Sequence, residues 1–173
     1  MTDGLQYEYR TGIGTDIHRF APERRLMLGG VQVPFEVGLL GHSDGDVVLH
    51  AVIDAVLGAA GMGDIGTLFP DTDPELKDVD SEQLVLQVRE LVKQHRWEVV
   101  NLDVIVHAQS PKLAPYKGQI KRQIAGLLET DFANVNIKAK TNEGLDAVGE
   151  GRAIACTTTV LLRRLPKRTV SKK

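Results

Sequence analysis

The stretch "TGIGTDIHRF", residues 11–20, places Asp16 and His18 two apart in an apolar, strand-like run. Side chains on a strand repeat their direction every two residues, so this carboxylate and this imidazole project together. A second imidazole, His50, lies in "SDGDVVLHAVIDAVLGAAG", a segment with helical character. One carboxylate oxygen and two imidazole nitrogens form a donor set that zinc accepts at roughly 2.0–2.2 Å, and three protein ligands leave a fourth position for a substrate oxygen. Asp46 and Asp54 stand one helical turn either side of His50, so either is placed to hold its other ring nitrogen and fix the tautomer. Taken alone, a histidine on an apolar helix is more often a hydrogen-bonded core residue than a ligand, and Asp-x-His with a distant His is a short motif with many chance matches.

These residues need elements to carry them. Alternation predicts a strand over about 8–17, then a small hairpin in "RLMLGGVQVPF" turning at Gly29-Gly30. Ser43, with Asp46 three residues on, reads as a capping box opening a helix that stops at Gly61 or Gly63. Its apolar residues occupy nearly every side from Val47 to Leu57, so it is expected to be buried on more than one face. A second helix is expected from about Ser81 to His95, and a strand in "EVVNLDVIVHA". Pro115 opens a third helix that carries Ile120, Ile124, Leu127 and Leu128. Strands in "VNIKAKT" and "RAIACTTTVLLRRL" close the chain. This order predicts an α+β fold with helices on one face of a mostly antiparallel four-stranded sheet plus a small hairpin, the other face being left for neighbouring subunits.

Composition narrows the function classes. With 173 residues and 42% hydrophobic content the chain supports one core, so residues 1–165 are expected to form a single domain and the basic 166–173 a disordered tail. A net charge of −2 argues against a surface built for nucleic acid or anionic membrane. The first residues lack the apolar core of a signal peptide or an Arg/Ser-rich transit segment, and the apolar runs are too short to span a bilayer, which points to a cytoplasmic protein. Cys156, the single cysteine, excludes an intramolecular disulfide and reads as a small core residue, although as a fourth ligand it would close the metal site and make it structural. His95 near a helix end and His107 at a strand end have ordinary structural accounts. "GDIGTLFPDTDP" reads as a turn-rich connection, and "AQSPKLA" as a strand-to-helix loop.

Taken together, "GIGTDIHRF", "LMLGG", "LLGHSDGDVVLHAVIDAVLGAAGMGDIGTLFPDTDP", "AQSPK" and "NIKAKTNEGLDAVGEG" resemble the family of 2-C-methyl-D-erythritol 2,4-cyclodiphosphate synthases over about residues 11–165. The resemblance implies a phosphorus–oxygen lyase of the non-mevalonate isoprenoid route. In its reaction the 2-phosphate of a cytidine diphosphate substrate attacks the β-phosphorus of the same molecule and CMP leaves. It further implies a homotrimer with active sites between subunits, Zn2+ or another divalent transition metal at Asp16, His18 and His50, and Mg2+ or Mn2+ on the substrate diphosphate, held with help from Glu143. By the same resemblance His42 and Thr141 stabilise the transition state, with Ser43 beside His42 at a helix N-terminus that favours phosphate. Asp64 and Gly66 meet the ribose, Ile65 between them is a further substrate-binding residue, and Phe69, Asp71 and Asp73 meet the methylerythritol phosphate. Ala108, Pro111, Lys112 and Ala114 form the cytidine pocket. Ala147 and Glu150 depart from the family pattern, in which many members carry Phe and Arg; an acidic Glu150 repels an isoprenoid diphosphate in the axial cavity unless Arg152 substitutes. Two other readings of the donor set are a metal-dependent phosphohydrolase and a zinc-stabilised binding module without catalysis.

Overall fold

A computed structural model of the chain describes residues 7–70, 72, 76 and 79–166. Asp71, Asp73 and the tail beyond Pro166 therefore lie outside the described residues. The elements run β1 (Glu8–Ala21), β2 (Leu26–Leu28), β3 (Val31–Val33), β4 (Gly38–Leu39), α1 (Val47–Ala60), α2 (Ile65–Leu68), α3 (Ser81–Gln94), β5 (Trp97–His107), α4 (Lys117–Leu127), β6 (Val135–Lys140), α5 (Asp146–Gly149) and β7 (Ala153–Arg164). The α+β class and the hairpin β2–β3 are as expected. The sheet, however, has five strands, in the order β4-β1-β7-β5-β6. The extra strand is the two-residue β4, which pairs with the end of β1 through Phe20 and Leu39. Two residues are too few to show an alternating pattern, and the same pairing carries β1 to Ala21 rather than 17. All pairings are antiparallel except β5 with β6, whose crossover contains α4.

One face of the sheet meets the helices. Leu102, Val104 and Val106 of β5 and Ile154, Cys156, Val160 and Leu162 of β7 are buried there. On the opposite face of β1, Ile13 is 66% and Ile17 56% exposed, which leaves an apolar sheet surface uncovered within one chain. Helix α1 is buried on nearly all sides, as its sequence predicts, because it lies between β1, β7 and α3. Among the described residues no helix is long and apolar enough to cross a membrane.

The start of α1 differs from the expected capping box. Gly45 takes a positive φ of 76°, so the chain is not yet helical there, and Asp46 rather than Ser43 is the N-cap. The Asp46 carboxylate is wholly buried and accepts from Val48 and Leu49 N–H at 3.0 Å each, and from Gly29 and Gly30 of the hairpin turn at 2.8 and 2.7 Å. Burial pushes its carboxyl above the usual range, opposed by these N–H groups. One side chain thus caps a helix and fastens a hairpin to it. Gly61 closes α1 in the left-handed region, as read from the sequence. Pro115 precedes α4 instead of sitting in its first turn, because Tyr116 is the N-cap.

Glycine sets how closely α1 approaches β1. A Cβ built on Gly12 would lie 2.0 Å from the Ala55 carbonyl oxygen, and one on Gly14 would lie 2.1 Å from that of Ala51. Backbone oxygens cannot yield as a flexible side chain does, so the helix would have to lift. Gly14→Ala is therefore expected to cost about 1–3 kcal/mol in chemical denaturation. The exposed helical Gly58→Ala should be neutral or stabilise by up to about 1 kcal/mol, since its Cβ meets nothing nearer than 3.9 Å. Equal effects of the two substitutions would contradict this account.

Candidate metal centre and active-site cleft

The pleat of β1 points Gly12, Gly14, Asp16 and His18 toward α1, and the close helix approach at Gly14 brings His50, next to Ala51, over the pair. Asp16 Oδ2 lies 2.9 Å from His18 Nε2 and 3.0 Å from His50 Nδ1, and the two nitrogens are 3.1 Å apart. The imidazole rings meet edge to face, with centroids 5.2 Å apart. Among the described residues this is the one group of three or more His, Cys, Asp or Glu side chains that could hold a metal ion. One carboxylate oxygen and two ring nitrogens directed at a common point, in a half-buried setting, match the donor chemistry of zinc and related divalent ions. A lone proton satisfies such a cluster poorly, because two imidazole nitrogens face one another as well as the carboxylate.

The electrostatics agree with a charged cluster. Burial opposes ionisation of Asp16, yet hydrogen bonds from His18 and His50 hold its carboxyl well below the usual carboxylate range. Burial likewise opposes a charge on His50, but contact with Asp16 outweighs it and raises the imidazole above its ordinary value.

Neither Asp46 nor Asp54 holds the second nitrogen of His50. Asp46 is spent on the helix cap and the hairpin, and Asp54 accepts the Ile65 N–H at 2.8 Å. The His50 Nε2 instead lies 3.0 Å from both Ser43 Oγ and Ser81 Oγ. Ser81, the buried first residue of α3, was not visible as a site residue from sequence, because its contact with His50 spans 31 positions and two elements. Nor is the α1 N-terminus left free for phosphate, since Asp46 occupies the N–H groups of Val48 and Leu49.

Asp16, His18, His42, Ser43, His50 and Ile65 line one cleft of about 250 Å3, with Gly66 and Phe69 at its wall. Asp64 is exposed and caps α2 by accepting from the Thr67 N–H at 2.8 Å and hydroxyl at 2.7 Å, so the start of this segment is a short capped helix. The other predicted site residues form a second group. Ala108 N–H donates to Lys140 O at 2.9 Å, tying the loop that bears Pro111, Lys112 and Ala114 to the end of β6. Just beyond, the Thr141 hydroxyl donates to Glu143 Oε1 at 2.6 Å, both residues being exposed. The registers His18↔Ile154, Ala155↔His107 and His107↔Lys140 put both groups at the same end of the sheet, with β7 and β5 between them. Glu150 and Arg152 pair at 2.6 Å. His95 Nδ1 lies 3.0 Å from Leu91 O and His107 Nδ1 3.2 Å from Asn142 Oδ1, both structural positions. Cys156 is buried, its sulfur 3.8 Å from the Thr158 hydroxyl, and it is not part of the metal-ligating group.

The model of the YgbB family matches residues 9–163. A relative from Geobacillus sp. (strain WCH70), named 2-C-methyl-D-erythritol 2,4-cyclodiphosphate synthase, is 53% identical over 156 residues, covering 90% of this chain and 99% of the relative. A relative of the same name from Neisseria gonorrhoeae is 52% identical, covering 90% of this chain and 98% of its own. Among solved structures, the bifunctional IspDF of Campylobacter jejuni superposes with a TM-score of 0.89 at 42% identity, covering 93% of this chain and 44% of that one. The CDP complex of IspF from Plasmodium falciparum gives a TM-score of 0.79 at 37% identity, covering 92% and 97%.

Two substitutions separate an open metal site from a closed one. His50→Ala should abolish stoichiometric zinc binding, measured by chelator competition on the folded protein, whereas Cys156→Ala should leave zinc content unchanged. The converse pattern would move the site to the cysteine. Burial pushes the Cys156 thiol up to about 12, so the thiolate is scarce at pH 8. Alkylation by iodoacetamide at that pH should accordingly be negligible until the protein is unfolded, and rapid native-state labelling would contradict the packing.

Proposed function

The chain belongs to the YgbB family, and on that premise we propose that it closes the ring of 2-C-methyl-D-erythritol 2,4-cyclodiphosphate: the 2-phosphate of 4-diphosphocytidyl-2-C-methyl-D-erythritol 2-phosphate attacks the β-phosphorus of the same molecule and CMP departs. The observation that carries this reading is the convergence of Asp16, His18 and His50 in a cleft beside His42. Nucleophile and electrophile belong to one substrate, so the protein's work is to fold an anionic chain on itself and offset the repulsion of its phosphates. A divalent cation bound by the triad supplies charge neutralisation and Lewis acidity toward a phosphate oxygen. His42, exposed at the cleft, is suited to stabilise charge on the transferring group, with Ser43 beside it. The walls at Ile65, Gly66 and Phe69 are apolar or backbone surfaces that limit access of competing water. Asp64 offers a ribose hydroxyl an acceptor.

The cleft is small for a nucleotide-bearing substrate, because sites for such ligands usually enclose several hundred cubic ångströms. The remaining predicted residues, Ala108 to Ala114 with Thr141 and Glu143, lie three strand spacings away across the sheet, about 14 Å. That separation, and the uncovered apolar face at Ile13 and Ile17, support a homotrimer in which one copy's triad meets the neighbour's Thr141–Glu143 edge. In this arrangement Lys112 approaches phosphate, the loop at 108–114 reads the cytidine through its backbone, and Glu143 helps hold Mg2+ or Mn2+ on the diphosphate. The name of the Plasmodium falciparum complex, which includes CDP, is consistent with a cytidine subsite.

Phosphorus NMR of the products tests the chemistry: cyclic diphosphate and CMP are expected with zinc and magnesium, whereas inorganic phosphate or a linear product would indicate a phosphohydrolase. His42→Ala should slow turnover by about 10²-fold or more while zinc content is kept, and unchanged turnover would remove His42 from the mechanism. Shared sites predict complementation: co-expressed His50→Ala and Glu143→Ala chains, each inactive alone, should regain about one quarter of full activity by random assembly into rings. Absence of recovery in verified mixed trimers would confine each site to one subunit.

A further inference from the structure

The hydroxyl of Ser81 and the carboxylate of Asp44 follow in sequence from His50 Nε2, the ring nitrogen that does not face Asp16. Ser81 is fully buried, and its Oγ donates to Asp44 Oδ1 at 2.5 Å. Asp44 is held in turn by the Asp46 N–H at 3.1 Å and the Ser81 N–H at 3.4 Å, while its own N–H donates to Val79 O at 3.1 Å. A hydroxyl has one proton and a carboxylate only accepts, so Ser81 spends its proton on Asp44 and turns lone pairs toward the His50 Nε2, 3.0 Å away. Two facing lone pairs repel, so Ser81 favours the imidazole tautomer with its proton on Nε2. Ser43 Oγ, also 3.0 Å from Nε2, accepts from the Gly45 N–H at 3.2 Å and is compatible with the same direction when its proton goes to Ser81 Oγ at 3.3 Å, leaving it too an acceptor for the Nε2 proton.

We infer that Ser81, backed by Asp44, is a positioning residue that keeps the proton of His50 on Nε2 and so presents the unprotonated Nδ1 to the cation between Asp16 and His18. This rests on reading the triad as a metal site. Metal-bound histidines commonly have the other ring nitrogen fixed by such an acceptor, and its loss lowers metal affinity about 10- to 100-fold. The arrangement is also mechanical: Ser81 is the first residue of α3, so the docking of that helix against α1 is transmitted to the orientation of a ligand on α1.

Zinc affinity by competition with a chromophoric chelator, together with long-range proton–nitrogen NMR of the zinc-loaded protein, tests the inference without reference to turnover. Ser81→Ala should weaken zinc binding about 10- to 100-fold with the circular dichroism unchanged. Asp44→Asn can donate to Ser81 and reverse the chain of donors, so it should weaken zinc comparably and bring up a His50 resonance protonated at Nδ1. In the unaltered protein the His50 proton should be found on Nε2. Zinc affinity within about twofold of the unaltered protein in both variants, or a proton on Nδ1 in the unaltered zinc-loaded protein, would overturn the inference. Should Ser81→Ala fail to fold, the tautomer in the unaltered protein decides. Failure of the unaltered protein to bind zinc would overturn it together with the metal reading itself, and so is distinguishable from a failure of Ser81 alone.

Discussion

The seating of α1 on the glycines of β1 is the contact from which the rest of the site follows. At Gly12 and Gly14 the helix backbone approaches the strand so closely that even a methyl group would strike a carbonyl oxygen. A helix held at side-chain distance would carry His50 away from Asp16, because an imidazole cannot make up several ångströms of added separation. One further contact fixes the helix along its axis. Asp46 fastens its first turn to the hairpin at Gly29 and Gly30, and Gly61 ends it. The meeting of the candidate ligand atoms, all within about 3 Å of one another, is thus the product of backbone packing more than of their own attraction.

This economy has a cost in polar burial. Asp46, Ser43, Ser81 and part of Asp44 are removed from water around the head of α1, and each is matched to a donor or acceptor there. Unmatched, groups of this kind cost about 1–3 kcal/mol apiece, so the network is tolerable only as a closed set. The same requirement gives it direction: Asp44 accepts, Ser81 passes the polarity on, and His50 turns a defined nitrogen to the cleft. Helix packing and ligand orientation become one problem with one solution.

At the scale of the whole sheet, the strand order separates what a nucleotide-binding reaction would use together. β1 carries the donor set near one edge, and β6 leads to Thr141 and Glu143 at the other. Both groups face the same end because β1, β5 and β6 all point there while β7 runs back between them. An exposed apolar face on β1 lies where a neighbouring copy can cover it. In the proposed homotrimer such a division makes assembly a condition of chemistry, and it relieves the single chain of enclosing a large cavity within a core of modest size.

Much of this was legible from the residues in order. The two-residue repeat paired Asp16 with His18; the all-round apolar character of α1 announced its burial; Gly29-Gly30 and Gly61 marked turns whose positive φ few other residues adopt. These are local signals, set by backbone geometry and side-chain periodicity within a few positions. Local signals also misled. Ser43 and Asp46 have the spacing of a capping box, but Gly45 keeps the chain out of the helix and Asp46 takes the cap. Asp54 stands a turn from His50, yet serves Ile65 instead. β4 is too short to show a pattern at all. What the linear order determined was which side chains share a face and which segments must be buried. Only the tertiary structure decided who partners whom across the chain: Ser81 with His50, Asp46 with Gly30, the triad apart from Glu143. Such pairings depend on the distance between packed backbones, and no periodicity within a segment encodes that distance.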